Sequence, residues 1–114
     1  MSTEETSCPL TERSCTPCEG GTAPMTDDQI ATALKQAEGW LYEGGEITRT
    51  YTFKNYYKTM AFVNALAWVA HHEDHHPDIE VSYKTCKVRY STHSIGGISE
   101  NDFICAAKLN ALVG

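Results

Sequence analysis

A chain of 114 residues and 12.6 kDa has room for one domain and none for a cofactor domain beside a catalytic one. Hydrophobic residues at 41% and charged residues at 21% match globular usage, which excludes disordered, collagenous and membrane classes and leaves a small packed core. Fifteen acidic against nine basic residues give a net charge of −6, without the broad basic face that tracks a phosphate backbone, so no nucleic acid partner is expected.

Residues 1–24 are rich in Ser, Thr, Glu, Pro and Gly and read as a flexible N-terminal tail, with residues 25–114 as the folded domain. Within the tail, Cys15-Thr16-Pro17-Cys18 has the spacing of a zinc half-site or a redox pair, but no second such pair completes four ligands. Cys86 and Cys105 fall on apolar positions of predicted elements and read as small buried hydrophobes. An odd cysteine count without an export signal argues against a disulfide framework. The longest apolar stretch, residues 65–70, is far short of the roughly 20 needed to span a bilayer, so a cytoplasmic protein with no membrane partner is expected.

Thr26-Asp27-Asp28-Gln29 reads as a capping box opening a helix that runs to Ala37 and is stopped by Gly39. Strands over residues 40–42 and 47–53 follow, the second with Ile47, Tyr51 and Phe53 alternating with threonines. Asn55 can cap a long second helix in which Tyr56, Met60, Val63, Ala67 and Ala70 recur at helical spacing while Phe62, Leu66 and Val69 widen the stripe. Pro77 marks its limit, because the residue before a proline is pushed out of helical geometry. Alternation over Ile79, Val81 and Tyr83, then over Cys86, Val88 and Tyr90, predicts two more strands joined near Lys84-Thr85. Gly96-Gly97 breaks the chain, Ser99 and Asp102 resemble a second capping arrangement, and residues 103–113 form a final helix. The order predicts an α+β sandwich, with helices on one face of a single antiparallel sheet.

Four of the five histidines, His71, His72, His75 and His76, fall within six residues at the exit of the second helix. Three readings are open. A polar helix end can carry solvated histidines that favour the helix dipole when protonated, at the cost of mutual repulsion. His72-Glu73-Asp74-His75-His76 contains a His-Glu-x-x-His, in which two imidazoles one turn apart share zinc, but that needs a continuous helix and Pro77 follows at once. Acid and base chemistry without metal is the third, because an imidazole of pKa about 6.5 is a base in one environment and an acid in another. His93, at the end of the last strand in Ser91-Thr92-His93-Ser94, can join such a site. Trp68 and Tyr83 could add apolar wall, although their periodicity assigns them to core packing.

Taken together, Glu73-Asp74-His75-His76-Pro77, Tyr83, Ser91-Thr92-His93 and Gly96-Gly97-Ile98-Ser99-Glu100-Asn101-Asp102 resemble the pterin-4a-carbinolamine dehydratases. The spacing follows that family's signature: His-His-Pro, five residues, an aromatic, nine residues, a histidine, eight residues, an aspartate. The likeness covers residues 25–113, and Cys-x-x-Cys-Glu-Gly-Gly in the tail resembles the leader of some bacterial members.

The resemblance implies a four-stranded antiparallel sheet with three helices on one face, assembled as a homodimer or homotetramer. It implies catalytic roles for His75, His76 and His93, with substrate contacts from Asp74, His75, His76, Ser91, Thr92, His93 and Ser94. The implied reaction removes water from 4a-hydroxytetrahydropterin to give quinonoid dihydropterin, recycling the cofactor of aromatic amino acid hydroxylases, with no metal and no cofactor. Asp74 would hold a histidine tautomer or meet the polar edge of the pterin, while Asp102 reads as a cap acid. Many members carry glutamate where this chain has His71. Animal relatives also act as coactivators of a transcription factor dimer, but no feature of this acidic chain marks such a partner.

Overall fold

The computed structural model describes residues 10–16 and 23–113. Thr26 and Gln29 form the expected capping box, the Gln29 N–H donating to the Thr26 hydroxyl at 3.2 Å and the Thr26 N–H to Gln29 Oε1 at 2.8 Å. The helix they open, α1 (Asp27–Leu34), ends before the expected Ala37. Amides of Lys35, Gln36 and Ala37 bond only three residues back, which tightens the chain and tucks Ala37 into the core. Strands β1 (Leu41–Glu43) and β2 (Glu46–Thr52) follow, and Trp40 sits just ahead of β1 with its indole buried.

Asn55 caps α2 (Tyr56–Glu73), its side chain accepting from the Lys58 N–H at 2.8 Å. The face α2 buries is not centred where the spacing put it: Thr59, Phe62, Leu66, Val69, Ala70 and Glu73 are buried, whereas Tyr56 and Ala67 are exposed. Two apolar series share the helical period, and the one with the bulkier side chains turns inward. Strands β3 (Asp78–Val81) and β4 (Thr85–Tyr90) precede α3 (Glu100–Val113).

The strands form one antiparallel sheet in the order β1-β2-β4-β3, which with the three helices gives the expected α+β fold. Along β4, Cys86, Val88 and Tyr90 are buried while Lys87 and Arg89 are half-buried. Pairing of Ile47 with Tyr90 and Tyr51 with Cys86 aligns these inner-face residues, and Ile30, Phe62, Leu66, Phe103 and Leu109 of the helices pack with them. Trp68 and Tyr83, assigned to the core by periodicity, are instead 65% and 64% exposed. They stack on His72 and Tyr56 outside the core, since a period says which residues share a face but not which face is covered.

Residues 10–16 belong to the stretch expected to be a flexible tail, yet they lie against α3. Leu10 is buried, Lys108 Nζ donates to the Thr11 carbonyl at 2.8 Å, and Arg13 pairs with Glu100. A single leucine anchor and polar clasps hold a segment whose composition alone reads as mobile. Cys8 and Cys18 lie outside the described residues, as does the second half of the Cys-x-x-Cys motif. Among the described residues, no helix is long and apolar enough to cross a membrane.

Candidate active site

The exit of α2 fixes the first site residues. Asp74 takes a left-handed backbone (φ 53°, ψ 42°), the His75 N–H donates to the Ala70 carbonyl at 3.1 Å, and the Asp74 N–H donates to that of His71 at 3.2 Å. This pair of bonds is a Schellman ending, so the helix stops three residues before its limit at Pro77 needs it to. His72 and His76 are thus not one turn apart on a helix, and the His-Glu-x-x-His geometry of a zinc pair does not form. His71 and His72 are exposed on the last turn.

Immediately beyond the ending, His75 turns inward. Its ring stacks on Tyr90 at 5.2 Å and 11°, and the Tyr90 hydroxyl lies 3.3 Å from the His75 carbonyl, to which it donates. His75 Nε2 is 2.6 Å from Asp102 Oδ1, and the other carboxylate oxygen accepts from the Ser99 N–H and the Thr92 hydroxyl, both at 2.9 Å. Because the Thr92 proton goes to Asp102, the Ser99 hydroxyl is left to donate to Thr92 Oγ1, 2.7 Å away. Only the carboxylate arm of the expected second capping box is present, and the serine arm serves Thr92 instead.

The turn after β4 makes this convergence possible. Thr92 N–H donates to the Gly97 carbonyl at 2.8 Å, Gly96 closes the reversal at φ 68°, and a Cβ on Gly97 would lie 2.8 Å from Pro24. Thr92 and Ser99 are thereby brought together over the first turn of α3.

Asp102 is fully buried, and its two carboxylate oxygens are met by three partners, His75, Thr92 and the Ser99 amide. Burial pushes the His75 imidazole down, but the hydrogen bond and charge of Asp102 outweigh it, and His75 rests above the ordinary histidine value. With Nε2 turned to the carboxylate, Nδ1 is the ring nitrogen left for other chemistry.

A cavity of about 250 Å³ opens beside this pair. Glu73, Asp74 and His75 line it from the exit of α2, Thr92 and Ser94 from the turn, Asn101 from α3, and Cys15 and Thr16 from the N-terminal segment. Glu73 Oε1 accepts from the Cys15 N–H at 2.8 Å, while the Asn101 carboxamide accepts from the Thr16 N–H at 3.1 Å and donates to its carbonyl at 2.6 Å. A larger groove of about 790 Å³ along β2 and α2 has neither histidine nor carboxylate in its lining, so the smaller cavity is the chemically equipped one.

Of the residues singled out in the sequence, Asp74, His75, Thr92 and Ser94 line one cavity. His76 and His93 are exposed, Ser91 is half-buried, and none of these three belongs to that lining. Sequence reasoning missed Asp102 as the partner of His75. The available signal was that a cap needs one carboxylate oxygen, which leaves a buried aspartate a second one to use.

Residues 23–112 match the family model of pterin 4 alpha carbinolamine dehydratase. The chain belongs to that family, a family of hydro-lyases. Among its relatives is a protein of Nitrosomonas europaea, 59% identical over 106 residues that cover 92% of this chain and 94% of the relative. Another, from Nitrosomonas eutropha, is 58% identical over 107 residues, covering 93% and 95%. Both carry a provisional pterin-4-alpha-carbinolamine dehydratase name. A crystal structure of a transcriptional coactivator/pterin dehydratase from Brucella melitensis superposes with a TM-score of 0.77 at 32% identity, covering 80% of this chain and 99% of that one. In this dehydratase-family chain the signature aspartate, Asp102, is therefore bonded to the signature histidine, His75.

Proposed function

We propose that the protein removes water from 4a-hydroxytetrahydropterin by histidine acid/base chemistry at the cavity beside His75. The observation that carries this reading is the His75–Asp102 pair, 2.6 Å apart at the wall of a polar cavity, in a chain of this family. Dehydration needs a proton on the departing C4a hydroxyl and loss of the proton on N5, whose lone pair then forms the C4a–N5 double bond. An imidazole held above its ordinary value by Asp102 keeps its second proton to higher pH than a free histidine and acts as the acid, delivering its Nδ1 proton to the hydroxyl. Asp102 keeps Nε2 protonated as His75 becomes neutral, so the ring does not turn between steps.

His93 accepts the N5 proton in this scheme, and His76 binds and polarises the pterin. Support for His93 comes from its neighbours, since Thr92 and Ser94 on either side both line the cavity. Asp74, Asn101, Ser91, Thr92 and Ser94 offer acceptors and donors suited to the amino-pyrimidinone edge of the ring. The product, quinonoid dihydropterin, is the form a reductase returns to the hydroxylases, and we place that cycle in the cytoplasm. The exposed aromatics Tyr57 and Trp68 on α2 support assembly as a homodimer or homotetramer, which sedimentation of the purified chain tests.

The decisive measurement follows quinonoid dihydropterin formation from synthetic carbinolamine with wild type, His75→Ala and His93→Ala, with and without a chelator. Each substitution is expected to lower turnover by about 10²–10⁴-fold. Full activity in both variants would overturn the assignment, and activity lost to the chelator and restored by zinc would replace it with metal chemistry.

A further inference from the structure

A second pair of reactive groups sits next to the first. Cys15 Sγ and Cys105 Sγ are 3.7 Å apart, although 90 positions separate them in the chain. Cys105 is fully buried on α3, three residues after Asp102 and so on the same side of the helix. Cys15 lies in the irregular N-terminal segment, half-buried, and lines the cavity. Cys86 makes a useful contrast, because it is buried in β4 and burial pushes its thiol up, the pattern of an inert core cysteine.

The two sulfurs do not behave as independent core atoms. The hydrogen bond from Cys15 holds Cys105 below the ordinary thiol range in spite of its burial, helped by the Tyr90 hydroxyl and the charge of His75. That same bond, with burial and the charges of Cys105 and Glu73, raises Cys15. The contact links the two sulfurs, and of the two Cys105 is the one eased toward giving up its proton. Two thiols in contact at the wall of a cavity are the starting geometry of a disulfide.

We propose that Cys15 and Cys105 are a peroxide-oxidisable dithiol whose disulfide fastens the N-terminal segment to α3 beside the His75 cavity. Hydrogen peroxide enters the cavity and meets Cys15. The Cys15 sulfur attacks one peroxide oxygen while its thiol proton passes to the departing oxygen, and the O–O bond breaks to give a sulfenic acid and one water. Cys105 then attacks the Cys15 sulfur, the S–O bond breaks, and the oxygen leaves with the Cys105 proton as a second water. Two thiols lose two electrons and two protons, and one peroxide becomes two waters. Closing from 3.7 Å to a bond of about 2.05 Å asks for a small shift of a side chain that belongs to no helix or strand.

This inference rests on sulfur geometry and stands apart from the dehydratase reading. Its test reads thiols, so failure of one leaves the other intact. The reduced full-length chain is treated with stoichiometric hydrogen peroxide, unfolded, alkylated and digested with trypsin. Residues 14–35 and 90–108 are expected as one linked species lighter by two hydrogens, with fragmentation placing the link before Pro17. Cys15→Ser removes that species and Cys18→Ser leaves it. Alkylation of Cys105 to the level of the untreated protein, with Cys15 joined to Cys18 or over-oxidised, overturns the proposal.

Discussion

At the first turn of α3 the Asp102 carboxylate gathers the Ser99 N–H, the Thr92 hydroxyl and His75 Nε2. Eight residues later the Asn110 carboxamide oxygen gathers Trp40 Nε1 at 3.0 Å and, at 2.6 Å each, Arg49 Nη1 and the Tyr51 hydroxyl, while its nitrogen donates to the Glu38 carbonyl. Each side chain gathers three donors onto one helix, all from distant segments at Asn110 and all but the local Ser99 amide at Asp102. Only the first is a carboxyl group, and only the first meets an imidazole. Burial pushes Tyr51 up to about 12, so its hydroxyl remains a donor through the physiological range. One hub is a clasp, and the other is a clasp with a movable proton at the edge of a cavity. The difference is a single step from carboxamide to carboxylate.

Converting the charged hub into the neutral kind is the sharpest way to break this contrast. Asp102→Asn can still accept from Ser99 and Thr92, but its NH₂ would face His75 Nε2 and force the ring proton onto Nδ1. Turnover is expected to fall by about 10²–10⁴-fold with KM little changed, as stopped-flow dehydration assays will read. Retained turnover would reduce Asp102 to a cap. Asp102→Ala goes further, leaving buried donors and His75 without their acceptor, and should cost about 3–5 kcal/mol in denaturant unfolding.

The same pair predicts a pH signature that the Asn110 end lacks. His75 is raised in the folded protein, so its stabilising contribution is complete below the ordinary value of about 6.5 and is lost as pH rises through the higher folded value. The stability difference between wild type and Asp102→Asn should therefore shrink as pH rises from 6 to 9. Turnover limited by the His75 acid should decline over the same limb. A pH-independent difference would mean that the hydrogen bond does not discriminate the two protonation states.

Asn110→Ala tests the other end. It strands the buried Trp40 and Tyr51 donors, and a loss of about 2–3 kcal/mol is expected in urea unfolding. kcat and KM should stay near wild type. A loss of activity beyond the loss of folded protein would show that the two ends communicate.

Local chemistry was the legible part of this chain. Thr26 with Gln29, Asn55, and the alternation along β4 each name partners within a few residues, and each element forms where those partners sit. Facing was harder to read. Trp68 and Tyr83 fit apolar periods yet point outward, because the side covered is decided by neighbours that periodicity does not contain. The site was legible to the extent that the resemblance named His75. Its partner Asp102 lies 27 positions away, and the local explanation through Ser99 was sufficient enough to hide it. The walls from Cys15, Thr16 and Asn101 depend on docking of the N-terminal segment, which composition read as a tail.

The smallest expected effect isolates one contact of the neutral hub. Gly39 sits at φ +86°, and a Cβ there would lie 2.8 Å from the Arg49 guanidinium, which reaches both the Glu38 carbonyl and Asn110. Gly39→Ala therefore adds two costs, about 1–2 kcal/mol for a left-handed backbone and a smaller one for moving Arg49 off its acceptors. Gly44 supplies the control, because it is also left-handed at φ +62° but has open space where a Cβ would go. Subtracting the unfolding free energy lost in Gly44→Ala from that lost in Gly39→Ala leaves the Arg49 displacement, expected at about 0.5–1 kcal/mol for a half-exposed donor. The difference should vanish in an Asn110→Ala, Arg49→Ala background, where nothing remains to be displaced. If it persists there, the crowding at Gly39 acts on the backbone itself, and Arg49 is a bystander to the clasp.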